Sequence, residues 1–178
     1  MTVIIAAVPR SGSSLVAGIF EAHGLWIGRD GIKGADWTKN PYRDYENKDI
    51  DQWFRNGKEP LQQYLESITP QDKRLVYKCR PDKAKKMKAK LNGQCQIVRC
   101  FRRFDSIVAS DVENKGKKEI SRNQQVIDLC NLPGPPIDVD AVMARDFGTL
   151  ANAFDHCGQT FVATLAEAQI DDSLWHHL

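Results

Sequence analysis

The chain has 178 residues, 42% hydrophobic and 27% charged, which excludes a disordered protein and suits one globular domain spanning 1–178. A domain of this length buries about 70% of the surface its unfolded chain exposes. The formal charge is only +2, so no general affinity for polyanions follows, and any anion site must be built from placed residues.

Thr2 to Val8 carries an unbroken apolar run of strand length, as expected of a strand buried on both faces of a parallel sheet. Pro9-Arg10-Ser11-Gly12-Ser13-Ser14 follows as a tight turn. It opens into helical spacing, with Leu15, Val16, Ile19 and Phe20 on one face and Gly24 as the stop. Ser13 and Ser14 fall where side-chain oxygens satisfy the first unpaired N–H groups of a helix. Gly12 lets a ligand approach the backbone closely. The expected geometry is a phosphate cradle, with backbone N–H groups and a helix N-terminus facing an anion. A turn that merely caps a core helix has the same local sequence. The nucleoside-triphosphate form GxxxxGK[ST] needs a Lys beside its Ser/Thr; here the basic residue, Arg10, precedes the turn instead.

Residues 24–46 include Trp26, Trp37, Tyr42 and Tyr45 with little periodicity, the pattern of a functional loop. Glu46 stands before a helix beginning near Asn47, where an acid complements the helix dipole. Short helices are predicted over 49–56 and 60–68, and a strand over 75–79 is ended by Arg80-Pro81. The Lys-rich helix over 82–91 lacks interleaved aromatics and reads as a solvated face, so no nucleic-acid partner is expected. A third strand over 96–101 leads into Arg102 and helical spacing through Ser110. Residues 126–130 continue a helix, and Pro133-Gly134-Pro135-Pro136 breaks the chain. Asp138 caps a long helix to about Phe154, with Val142, Phe147, Leu150 and Phe154 as its buried stripe. Residues 159–164 are predicted as the fourth strand. The alternation predicts an α/β fold: a three-layer parallel sheet of about four or five strands flanked by helices, with ligands at the strands' carboxyl ends.

The string Val8-Pro9-Arg10-Ser11-Gly12-Ser13-Ser14-Leu15 closely resembles the 5′-phosphosulfate loop, P-[KR]-[ST]-G-[ST]-[ST], of sulfotransferases that use 3′-phosphoadenosine-5′-phosphosulfate (PAPS). Arg102 and Ser110 keep the spacing of that family's R-D-P-x-D-x-x-x-S motif for the cofactor's 3′-phosphate, although Arg103-Phe104 replaces Asp-Pro. Both motifs fall on strand-to-helix junctions, in the family's order. Asn40-Pro41-Tyr42-Arg43-Asp44-Tyr45-Glu46 partly resembles the family's N-P-x-G-x-x-E stretch, with Arg43 in place of Gly.

The resemblance implies a P-loop kinase-like fold and transfer of a sulfuryl group from PAPS to a hydroxyl or amine of a small-molecule or carbohydrate acceptor. It leaves adenosine 3′,5′-bisphosphate (PAP) and requires no metal. It also implies that Arg10, Ser11, Gly12, Ser13 and Ser14 hold the 5′-phosphate and that Arg102 and Ser110 hold the 3′-phosphate. Arg10 would steady charge on the bridging oxygen but, with its high pKa, cannot donate a proton. Lys78 matches the Lys of the family's K-x-H or K-D-P segment; the His is absent, because Cys79-Arg80 follows. Glu46 is therefore the first choice for general base, with a helix-start acid as the competing reading. Two alternative functions remain open: a kinase on the same fold, which the missing loop Lys disfavours, and a non-catalytic nucleotide-binding relative.

Cys79, Cys95, Cys100, Cys130 and Cys157 are odd in number, scattered, and lack CxxC or zinc-ligand spacing. That favours a reducing compartment over a disulfide framework. No run reaches membrane-spanning length, and the N-terminal apolar stretch has no basic lead-in or cleavage site. A cytoplasmic enzyme with no membrane partner is the expectation.

Overall fold

The computed structural model describes residues 1–28, 47–103 and 120–170. Among them, β1 (Thr2–Ala7), β2 (Val76–Cys79), β3 (Cys95–Phe101) and β4 (Pro136–Asp138) form one parallel sheet in the order β2-β1-β3-β4. Helices α1 (Ser13–Ala22), α2 (Lys48–Asn56), α3 (Leu61–Ile68), α4 (Pro81–Lys90) and α5 (Ile120–Cys130) alternate with the strands. The short α6 (Val139–Met143), α7 (Gly148–His156) and α8 (Ala163–Glu167) follow β4.

Every residue of β1 is buried, as a central strand with helices on both faces requires. Side chains alternate between faces, so Val3, Ile5 and Ala7 enter one core and Ile4, Ala6 and Val8 the other. The first core packs α1 and α7 against the sheet, with Phe20 stacked on Phe154 at 4.3 Å. The second packs α2, α3 and α4, through Ile50, Trp53, Leu61, Leu65, Ala84 and Met87. This is the three-layer α/β architecture expected from the sequence.

Two sequence expectations fail after β3. The fourth strand is not at 159–164 but at Pro136–Asp138, inside the stretch read as a chain break. Pro136 opens an edge strand, where its missing N–H costs no ladder bond. Gly134, at φ 99°, lies so close to β3 that a Cβ there would collide with the Ile97 carbonyl oxygen. Residues 159–162 instead cover α1: Phe161 packs on His23 and Phe154, and the Val162 N–H donates to His23 Nε2 at 3.0 Å. His23 Nδ1 lies 2.7 Å from the Ile19 carbonyl, which can only accept, so the ring's proton sits on Nδ1. The long helix is also two. Asp138 does cap a helix, its Oδ1 accepting from the Ala141 N–H at 3.1 Å, but α6 ends at Met143. Arg145 then turns left-handed, at φ 64°, and Asp146 Oδ1 accepts from the Gly148 N–H to start α7.

The strand order makes β1 the switch point. One connection from β1 leads outward to β2, and the next returns across it to β3, so a crevice opens above the carboxyl end of β1. The register pairs Ala6 with Cys79 and Ala7 with Cys100, which brings the ends of β2 and β3 to the same edge as residues 8–12.

Candidate active site

The turn from β1 to α1 is built from backbone conformations that side chains resist. Arg10 and Gly12 both take left-handed φ values, 67° and 71°. For Gly12 this is free, whereas for Arg10 it costs about 1–2 kcal/mol, and such strain persists at sites where surrounding structure enforces it. Alternating left-handed residues turn successive N–H groups inward, as in anion-binding nests. Gly12 is the N-cap of α1, no side chain caps that end, and the first turn holds no acid. The positive end of a ten-residue helix dipole is thus uncompensated among the described residues. Ser11 is fully buried, and its Oγ has no hydrogen-bond partner among the described residues. A buried hydroxyl left unpaired costs about 1–3 kcal/mol, so this atom fits a site whose missing partner is a ligand oxygen.

Neighbouring strands add cations. Lys78, on β2, directs Nζ to the Ser14 Oγ at 3.1 Å, placing an ammonium beside the start of α1. Arg102, just past β3, is a buried guanidinium: its side chain is 4% exposed, and Nε lies 3.3 Å from Asp140 Oδ1. Among the described residues its Nη1 and Nη2 make no hydrogen bond. Five donors on one planar group leave two nitrogens available to an anion.

The overall fold that carries this geometry is paralleled in a known structure. The sulfotransferase domain from the curacin biosynthetic pathway superposes with a TM-score of 0.52 at 16% identity, over 92% of this chain and 76% of that one. The chain has a sulfotransferase-like fold. Weaker likenesses include retinol dehydratase in complex with androsterone and the inactive cofactor PAP (TM-score 0.46, 16% identity, 94% of this chain and 62% of that one). A sugar kinase from Janibacter is another (TM-score 0.45, 12% identity, 90% and 98%). No family model and no curated protein sequence matches the chain.

Within this sulfotransferase-like fold, Arg10, Ser11, Gly12, Ser13, Ser14 and Lys78 are gathered at one edge of the sheet, with Arg102 at the end of the adjoining strand. Glu46 and Ser110 lie outside the described residues. Asn47, next to Glu46, is buried and doubly tied: Nδ2 donates to the Ile27 carbonyl at 2.8 Å, and Oδ1 accepts from the Ile50 N–H at 3.1 Å. Sequence reasoning passed over Val139 and Asp140. Their only local signal is an acid in the first turn of a capped helix, which many surface helices share. No helix among the described residues is long and apolar enough to cross a membrane, and none of them form a metal-sized cluster of His, Cys, Asp or Glu.

The cysteines are set apart from this chemistry by burial. Desolvation pushes the Cys100 thiol up to about 12 and Cys157 to about 11, and it raises Cys79 and Cys95 as well. Thiolate, not thiol, reacts, so alkylation at pH 8 should modify exposed Cys130 well ahead of Cys100. Peptide mapping after brief iodoacetamide treatment checks this, and early labelling of Cys100 would contradict it. In the unfolded chain these thiols ionise from about pH 9 upward while the buried ones stay neutral, so their contribution to stability is constant below pH 9 and is lost as the pH rises above it.

Proposed function

We propose that the protein is a PAPS-dependent sulfotransferase that moves a sulfuryl group to a hydroxyl or amine of a small-molecule or carbohydrate acceptor. The observation that carries this reading is the buried, unpartnered Ser11 Oγ in a left-handed nest at the switch point, on a fold shared with a sulfotransferase domain. PAPS supplies an activated sulfuryl group on its 5′-phosphate and a distinguishing phosphate at the 3′ position.

Toward that cosubstrate, Ser11, Gly12, Ser13 and Ser14 bind the 5′-phosphate through hydroxyls and N–H groups. Arg10 and Lys78 offset the charge that develops on the bridging oxygen. Lys78 is held beside the loop by Ser14, whereas Arg10 is exposed. Arg102, with Ser110, binds the 3′-phosphate. Glu46 takes the proton from the attacking acceptor oxygen or nitrogen.

Nucleotide preference tests the reading directly. Calorimetry should show adenosine 3′,5′-bisphosphate binding far better than AMP, ADP or Mg·ATP, without metal. Arg102→Ala should cut the preference over AMP about tenfold to a hundredfold, the worth of one charge-assisted hydrogen bond. Arg10→Ala should weaken both ligands, because both carry the 5′-phosphate. Tighter binding of Mg·ATP than of the bisphosphate would overturn the proposal in favour of a kinase.

A further inference from the structure

The two phosphate-binding elements of the proposed site arise on different strands, yet both rest on one short turn after β4. Val139, the first residue of α6, packs against the loop so closely that a Cβ on Gly12 would lie 2.6 Å from its Cγ1. The next residue, Asp140, accepts from Arg102 Nε through Oδ1 at 3.3 Å and from the Arg103 backbone N–H through Oδ2 at 2.7 Å. The turn itself is fixed twice over. The Asp138 side chain caps α6, and its N–H donates to Thr149 Oγ1 on α7 at 3.1 Å.

From this geometry we infer that Asp140 is the positioning residue for Arg102, holding its guanidinium so that Nη1 and Nη2 face the 3′-phosphate. The inference rests on the proposed function and adds the residue that sets one of its specificities. An unrestrained Arg samples many rotamers, and ordering it on binding would weaken the contact. Asp140 removes that freedom in advance by occupying both Nε and the adjoining backbone donor. Charge alone argues the other way: a carboxylate beside an anion site lowers the local field and weakens binding. Geometry and charge therefore make opposite predictions. Because Val139 touches Gly12 and Asp140 touches Arg102, the turn also sets the distance between the two phosphate positions.

Calorimetry with adenosine 3′,5′-bisphosphate and AMP on the wild type, Asp140→Glu and Asp140→Asn separates the two. Glu keeps the charge but displaces the acceptor, so the preference for the bisphosphate should fall about tenfold or more. Asn keeps an oxygen for Nε but loses the charge and the acceptor for the Arg103 N–H, so the preference should fall by less than in Asp140→Glu and should not rise. AMP affinity, which does not involve Arg102, should be unchanged in both and reports that each variant is folded. A preference retained in Asp140→Glu, or raised in Asp140→Asn, would overturn the positioning role and leave the proposed function standing. A wild type with no preference for the bisphosphate would overturn both.

Discussion

Gly12→Ala should destabilise the protein by about 2–4 kcal/mol and abolish measurable nucleotide binding. Two costs add. An L-residue at φ 71° costs about 1–2 kcal/mol, and a methyl group 2.6 Å from Val139 Cγ1 overpacks a site with no room, for about 1–3 kcal/mol more. Val139 is fully buried in the first core, so it cannot swing aside without disturbing Ile137 and the sheet. Whatever shifts will be the loop or the β4–α6 turn, and both carry proposed ligand contacts. Urea denaturation measures the first effect and calorimetry the second. A variant with an unchanged midpoint would mean that the loop relaxes freely, contrary to the enforced nest described above.

Glu46→Gln should lower sulfuryl transfer by about 10²–10⁴ while leaving both bisphosphate affinity and the unfolding midpoint close to wild type, the signature of a lost general base. The competing role for Glu46, complementing the start of α2, is already filled. Asn47 is the N-cap and bonds the Ile50 N–H, and Asp49 and Asp51 supply the first-turn acids. A helix-end role would thus be redundant, and its loss would shift stability by only a few tenths of a kcal/mol. Radiolabelled transfer to a panel of hydroxylated acceptors reads the first effect. Near-normal turnover with Gln would move the base elsewhere.

What could be read from the sequence was what local forces decide. The β1 run is apolar from Val3 to Ala7 because both faces are covered, and the turn and helix after it carry their own Gly and Ser signals, so strand, loop and α1 were all legible. β4 was not. It is three residues long, begins with Pro136, and becomes a strand only because Gly134 lets it approach β3 and pair Cys100 with Ile137. The β-branched and aromatic run over 159–164 misled for the complementary reason. Its apolar groups answer to the ring cluster of His23, Phe147 and Phe154, a tertiary demand that leaves no trace in periodicity. In the candidate site, Arg10, Ser11, Gly12 and Lys78 announced themselves at element ends. Asp140 did not, because its importance lies in reaching Arg102 across 38 residues of sequence.

The placement of β1 between β2 and β3 also governs how the chain must assemble. Val3 waits for Val76 and Thr2 for Cys95, so β1 stays unpaired on one edge until the chain has been made as far as β3. Before β2 has been made the strand has both backbone edges open, the condition under which nascent chains pair with one another instead of with themselves. Contacts this distant in sequence also slow folding, because loop closure precedes any reward from pairing. The same arrangement that places the phosphate loop at the centre of the sheet therefore leaves its supporting strand open to wrong pairing while the chain assembles.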